Sequence, residues 1–102
     1  MTSPRYLCAL SDLTENTPTA FLLENIRLAL VRRGPLVVAF EDRCTHQDFP
    51  LHSGQLHGDV IECAWHGACF NIRTGHAISG PAVSSIRTFV THVNGTDVFV
   101  EI

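Results

Sequence analysis

The chain has no lysine, little charge and no long apolar run, and each absence excludes a class of protein. Seven arginines are the only strongly basic side chains among 102 residues, and the formal net charge is −3. Without a basic run, the composition argues against nucleic acid as a partner. The longest apolar run is Leu36 to Phe40, far too short to cross a membrane. The N-terminal residues contain no apolar stretch that fits a signal-peptide core. We therefore expect a cytoplasmic protein whose cysteines are reduced or bind metal.

The pattern of strands and turns predicts one all-β domain, a sandwich or a small barrel. Hydrophobic residues make up 45% and charged residues 17% of the chain, as in ordinary globular proteins. Gly58-Asp59 and Asn94-Gly95 each mark a two-residue hairpin turn. The segment 19–30 contains helix formers, but its β-branched and aromatic neighbours favour strands. Other segments with strand character are 6–10, 26–31, 36–40, 55–57, 60–62, 69–72, 88–93 and 98–102.

Two Cys/His pairs are the strongest signal in the sequence. Cys44 and His46 form a C-x-H pair, and Cys63 and His66 form a C-x-x-H pair after sixteen intervening residues. Each pair follows a predicted strand, so two loops would each supply one sulfur and one imidazole to a metal centre. Zinc sites more often take two sulfurs from one knuckle, although a tetrahedral zinc site with these four ligands remains an alternative.

The segment CTHQDFPLHSGQLHGDVIECAWHGACFNIRTG resembles the cluster-binding region of Rieske proteins, especially the soluble ferredoxins of bacterial aromatic-ring dioxygenases. The resemblance implies a 2Fe-2S cluster in which Cys44 and Cys63 bind one iron and His46 and His66 bind the other. It also implies stacked antiparallel sheets with an inserted cluster-binding subdomain at about 43–81, and a basal β domain from 1–42 and 82–102. Gly80-Pro81 matches the loop that covers the cluster in relatives.

Histidine ligation and the residues around the motif predict the redox behaviour. An oxidised cluster with two thiolates and two neutral imidazoles carries no net charge, so it accepts an electron more readily than one with four thiolates. High-potential Rieske proteins carry a cysteine pair where this chain has Phe49 and Trp65, and two hydroxyls where it has Ala68 and Phe70. The lost donors predict a potential near the low end of the Rieske range, roughly −150 mV.

Three functions fit these residues. The leading one is a soluble one-electron carrier, not an enzyme, between a flavin-containing NAD(P)H-dependent reductase and a terminal oxygenase that acts on aromatic compounds. The chain is expected to be monomeric and to form transient complexes. The alternatives are a Rieske-like small subunit of another redox enzyme, such as assimilatory nitrite reductase, and a structural zinc module. Only 36 residues follow His66, too few for an oxygenase catalytic domain.

The remaining polar and sulfur-containing residues have simpler interpretations. Cys8 and Cys69 are expected to be core thiols. The other histidines are expected at the surface or in hydrogen bonds: His52, His57, His76 and His92. Glu41, Asp42 and Asp48 form either a solvated rim or an acidic patch that steers a basic surface of a reductase.

Overall fold

A computed structural model describes residues 2–45, 48–64, 67–79 and 84–102 of the chain. This part of the chain forms eleven strands and two short 3-10 helices, Leu10–Asp12 and Leu51–Ser53. Within it, no helix has the length and apolarity that a membrane crossing requires. The strands are β1 (Pro4–Ala9), β2 (Thr19–Leu23), β3 (Ile26–Arg33), β4 (Leu36–Glu41), β5 (Gln55–His57), β6 (Val60–Glu62), β7 (Cys69–Asn71), β8 (Ala77–Ser79), β9 (Thr88–Phe89), β10 (Thr91–Asn94) and β11 (Asp97–Glu101).

The strands form three antiparallel sheets, as the all-β prediction requires. The first sheet has the order β1-β11-β10, and the second has the order β2-β3-β4-β9. The third is a meander of short strands in the order β5-β6-β7-β8. Each of its strands has only three residues, so this sheet is small and its ends lie close to the loops that join it to the rest of the chain.

The centre of the second sheet is buried on both faces because it lies between two apolar cores. In β3 the four residues 28–31 are all fully buried, which explains why this strand is continuously apolar and does not alternate. Leu28 and Leu30 face the core shared with the first sheet, whereas Ala29 and Val31 face the core shared with the third. The core shared with the first sheet, here called the basal core, contains Cys8, Leu13, Leu28, Leu30, Val37, Ala39, Val98 and Val100. The core shared with the third sheet, here called the loop-side core, contains Ala29, Val31, Phe40, Cys44, Leu51, Ile61, Cys63, Ala68, Phe70, Ile72 and Ile86.

Two segments test the strand predictions most directly. The segment 19–30 is a hairpin of β2 and β3, and the strand prediction is confirmed there. Its turn residues, Glu24 and Asn25, have φ of 50° and 67°, which is the left-handed geometry of a two-residue turn. The predicted strand 88–93 is instead two strands, because the chain leaves the second sheet at β9 and enters the first at β10. The intervening Val90 has an exposed side chain, and its carbonyl accepts the Glu101 N–H at 2.9 Å.

Candidate metal centre

The first ligand loop begins where β4 ends and is closed by backbone hydrogen bonds around Cys44. The Cys44 N–H donates to the Phe49 carbonyl at 2.7 Å, and the Asp48 N–H donates to the Cys44 carbonyl at 2.8 Å. Asp48 has φ of 56°, a left-handed conformation that aspartate tolerates better than most residues. The loop therefore turns back on itself within six residues and directs Cys44 inward.

The second ligand loop follows β6 and has the same pattern of backbone hydrogen bonds as the first. The Cys63 N–H donates to the Ala68 carbonyl at 2.7 Å, and the Gly67 N–H donates to the Cys63 carbonyl at 3.2 Å. Gly67, four residues after the cysteine as Asp48 is in the first loop, has φ of 72°. The two loops are thus equivalent in hydrogen bonding and in the position of their left-handed residue. Asp48 and Gly67 are the residues in the sequence that indicate these two turns, because Asp and Gly adopt a left-handed conformation more readily than most residues.

Both cysteines enter the loop-side core. Cys44 is 1% exposed and Cys63 is 2% exposed, and they share this core with Leu51 and Phe70. None of the four cysteines of the chain forms a disulfide. Two buried, reduced cysteines presented by equivalent loops to one apolar core form a donor set suited to a soft metal centre. The residues present therefore fit a thiolate-ligated iron–sulfur group.

The histidines of the two pairs, His46 and His66, lie outside the described residues. Within 2–45, 48–64, 67–79 and 84–102, no group of three or more His, Cys, Asp or Glu side chains converges on a metal position. Trp65 and the Gly80-Pro81 loop also lie outside this part of the chain. Their assigned roles remain predictions.

Hydrogen bonds between Asp42 and His52, here called the Asp42–His52 clamp, close the base of the first loop, and the sequence analysis did not predict them. Asp42 is only 3% exposed, which corrects the expectation that it belongs to a solvated rim. One carboxylate oxygen accepts the His52 backbone N–H at 2.7 Å, and the other lies 2.6 Å from His52 Nδ1. Because the two residues flank the loop, their hydrogen bonds hold its two ends together. An Asp and a His ten residues apart carry no recognisable spacing signal.

Two further contacts attach the loops to their neighbours. The Thr45 hydroxyl donates to the Ser84 carbonyl at 2.8 Å, which fastens the chain near residue 84 to the first loop. Gly54 lies so close to the end of β6 that a Cβ there would be 1.9 Å from the Glu62 carbonyl oxygen. The absence of a side chain at Gly54 lets the segment after the first loop pack against the strand that leads into the second.

The residues beside the cysteines are apolar, as the sequence indicates. Ala68 and Phe70 are fully buried in the loop-side core, and Phe49 packs against it. Cys69 is only half-buried and belongs to neither core, so the expectation of a core thiol was wrong there; its thiol instead donates to the Gly67 carbonyl at 3.4 Å. Cys8 lies in the basal core, as expected, and burial with a smaller effect of the Asp12 charge raises the pKa of its thiol.

The other acidic residues near the first loop are paired. Glu41 accepts a hydrogen bond from Arg43 Nε at 3.1 Å. Asp48 forms an ion pair with Arg27 at 2.5 Å and lies 3.7 Å from Arg43 Nε. The expected acidic rim is therefore interleaved with arginine.

Three sheets in layers, with two equivalent cysteine loops against one core, define a small all-β metal-binding domain of the kind that carries electrons. Residues 3–90 match the family described as Rieske [2Fe-2S] domain. The ferredoxin component of biphenyl 2,3-dioxygenase from Rhodococcus jostii (strain RHA1) is 35% identical, over 94% of this chain and 90% of that protein.

Solved structures of similar proteins agree in fold and in length. The ferredoxin of carbazole 1,9a-dioxygenase from Nocardioides aromaticivorans IC177 superposes with a TM-score of 0.89 at 32% identity, over 96% of each chain. A chain from a complex of reduced oxygenase and oxidized ferredoxin in carbazole 1,9a-dioxygenase has a TM-score of 0.85 at 37% identity, over 95% of this chain and 91% of that one.

The chain belongs to the Rieske family. Its cofactor is a Rieske-type 2Fe-2S cluster, and its role is electron transfer as a ferredoxin, not catalysis.

Proposed function

We propose that this chain carries single electrons from an NAD(P)H-dependent flavoprotein reductase to the terminal oxygenase of an aromatic-ring dioxygenase system. In this proposal Cys44, His46, Cys63 and His66 are the ligands of the cluster. The observation that carries it is the pair of equivalent loops that bury Cys44 and Cys63 in one apolar core. A bound Rieske cluster supplies one reversible electron at a potential set by its ligands and their surroundings.

The residues of the chain prepare the centre for that electron. The loop-side core excludes water from the two sulfur atoms, and the Asp42–His52 clamp holds the first loop closed. Ala68 and Phe70 place no hydroxyl in this core, so they offer the sulfur atoms no hydrogen bond that would favour the reduced form. This arrangement supports a low potential, suited to accepting electrons from a flavin and not from a quinol.

The partners are proposed from the relatives. One similar solved structure is described as a complex of an oxygenase with a ferredoxin, and a similar curated protein is described as the ferredoxin component of a dioxygenase. Those descriptions support a terminal oxygenase as one partner; a flavoprotein reductase as the other partner, a monomeric state and transient complexes are further parts of the proposal.

The domain division and the compartment are also proposals. The strands of the third sheet all fall within 55–79, which supports a cluster-binding subdomain at about 43–81. The strands of the other two sheets come from 4–41 and 88–101, which supports a basal domain from 1–42 and 82–102 within a single Rieske domain. The absence of disulfides among four cysteines supports a reducing, cytoplasmic compartment.

Iron and acid-labile sulfide analysis, combined with EPR of the dithionite-reduced protein, tests the ligand assignment. We expect equal iron and sulfide and a rhombic signal of low average g in the wild type. Cys44→Ser and Cys63→Ser should lose the cluster, and His46→Ala and His66→Ala should lose it or lose the Rieske signal. Zinc in place of iron would refute the proposal.

Matched controls come from residues of the same type outside the motif. Cys69→Ser and His57→Ala should retain iron, sulfide and the EPR signal, because neither residue belongs to the two pairs. Equal loss in these variants would mean that the assay reports misfolding and not ligation. A stable one-to-one complex with a larger redox enzyme on purification would contradict a freely diffusing carrier and indicate a fixed subunit.

A further inference from the structure

An arginine-lined groove lies beside the first ligand loop, at the start of β3 and the end of β4. Its volume is about 260 Å³, and its walls include Arg27, Arg43 and Arg87 together with Glu41. Arg43 directly precedes Cys44 in the chain. The groove therefore adjoins the loop that carries one proposed cluster ligand.

The carboxylates of this region are already occupied by the protein itself. Glu41 accepts the Arg87 backbone N–H at 3.2 Å with one oxygen and Arg43 Nε at 3.1 Å with the other. Asp48 is shared by Arg27 and Arg43. Both carboxylates are therefore partly neutralised within the chain, although the Asp48 side chain stays 64% exposed, and this weakens the acidic-patch alternative drawn from the sequence.

The guanidinium groups also retain capacity to bind anions. The side chains of Arg27 and Arg43 are 43% and 40% exposed. The Arg87 guanidinium lies 4.9 Å from the centre of the Phe89 ring, and no carboxylate pairs with it among the described residues. The groove itself is lined by three guanidiniums and one carboxylate, which is a local positive excess on a chain whose net charge is −3. Arginine also binds carboxylates through two parallel N–H groups, which favours a carboxylate-bearing partner.

We propose that the groove lined by Arg27, Arg43 and Arg87 is the docking surface for an acidic patch on the protein that exchanges electrons with this chain. This proposal rests on the electron-carrier function proposed above and adds the charge of the partner. A partner bound there lies against the first ligand loop. Surface charges of this kind act mainly on the rate and orientation of encounter.

Binding of charged peptides tests the sign of the surface without any redox readout. Fluorescein-labelled hexaglutamate and hexalysine are titrated with the cluster-loaded protein at about 10 mM ionic strength, and anisotropy is measured. We expect hexaglutamate to bind and Arg87→Gln to weaken it about threefold, because one exposed charge pair is lost. Arg87→Lys should restore part of the affinity. Asp48→Asn should strengthen binding, because it removes a competing carboxylate.

The matched control is Arg73→Gln. Arg73 is exposed like Arg87, but it is paired with Asp59, lies in the turn after β7 and does not line the groove. Its loss changes the net charge by the same amount, so an equal effect in both variants would reduce the result to net charge and overturn the proposal. Binding of hexalysine in preference to hexaglutamate would overturn it as well.

Oxidation of the dithionite-reduced protein by small ions tests whether the same surface lies on the electron-transfer route. One electron passes to hexacyanoferrate(III), an anion, or to hexaammineruthenium(III), a cation. At about 10 mM ionic strength, Arg87→Gln should slow oxidation by the anion about fourfold and not slow oxidation by the cation. At about 0.5 M the difference should vanish, because salt screens exposed charges. Hexaglutamate should slow the anionic oxidant in the wild type.

The two proposals fail in different ways. If the protein contains no iron–sulfur cluster, the carrier function fails before any peptide is added. If the cluster is intact by EPR but Arg87→Gln matches the wild type with hexaglutamate and with hexacyanoferrate(III), the docking surface is wrong and the carrier function stands.

Discussion

Removal of the His52 imidazole should open the first ligand loop, because that ring completes the hydrogen bonds of a buried carboxylate. Asp42 is 3% exposed and accepts two hydrogen bonds, both from His52. His52→Ala keeps the backbone bond and removes the bond from Nδ1. A hydrogen bond to a charged group contributes about 1.5–3 kcal/mol, and an unsatisfied buried oxygen adds to the cost of its loss. We expect a loss of about 2 kcal/mol, or roughly thirtyfold in the opening equilibrium.

Native-state hydrogen exchange of the cluster-loaded protein, read by mass spectrometry on peptides that span 42–56, measures this opening directly. It avoids bulk unfolding, which is not two-state for a protein that loses a cofactor. The rate of cluster loss, followed by visible absorbance, should rise in the same variant. The exchange in peptides from the basal core should change little.

His92→Ala is the control for this prediction. The His92 ring also contacts a carboxylate, Glu101, but that pair lies at the surface of the first sheet. Its Nε2 hydrogen bond is the main cause that lowers the pKa of Glu101, yet water readily replaces an exposed partner. An effect of His52→Ala no larger than that of His92→Ala would show that burial of Asp42 does not set the strength of the clamp.

Three other perturbations test separate parts of the molecule. Gly75→Ala should cost about 3 kcal/mol of local stability in native-state hydrogen exchange, since its φ is +81° and a Cβ would lie 2.1 Å from a backbone carbonyl oxygen. Gly95→Ala, at a left-handed but open turn, should cost only about 1 kcal/mol in the same measurement. The double variant Ala68→Ser with Phe70→Tyr should raise the midpoint potential in voltammetry by about 40 mV per new hydrogen bond, and an unchanged or lower value would contradict the assigned low potential. The pKa of the Cys8 thiol in the folded protein is raised above its ordinary value of 9.0. The protonated thiol therefore makes its full contribution to the free energy of unfolding below pH 9.0, and this contribution is lost as the pH rises through the pKa of the folded protein. The alkaline decline of the unfolding midpoint should therefore be shallower in Cys8→Ala, and parallel curves for the two proteins would refute this.

Local sequence patterns were sufficient to predict the all-β class of the fold and the two loops that present Cys44 and Cys63. Turn residues and alternating apolar side chains depend only on neighbours in the chain, so the hairpins at Gly58 and Gly95 could be located. The same rules do not say which sheet a strand joins. Residues 88–93 look like one strand in sequence, but the chain changes sheets at Val90 because two different ladders are available in space.

The sequence by itself indicated the Rieske family, the cofactor and the role of an electron carrier, because two ligand types, Cys and His, stand at four positions whose spacing resembles the Rieske motif. It also indicated the apolar surroundings, since Ala68 and Phe70 can offer no hydroxyl. Only the tertiary structure decided which carboxylates near the first loop are buried and which side chains they pair with. Glu41, Asp42 and Asp48 look alike in sequence, yet Asp42 is buried against His52, Glu41 pairs with its near neighbour Arg43, and Asp48 pairs with Arg27 of β3. Charge pairing depends on distances across the fold, and these are set by strand register and not by order along the chain.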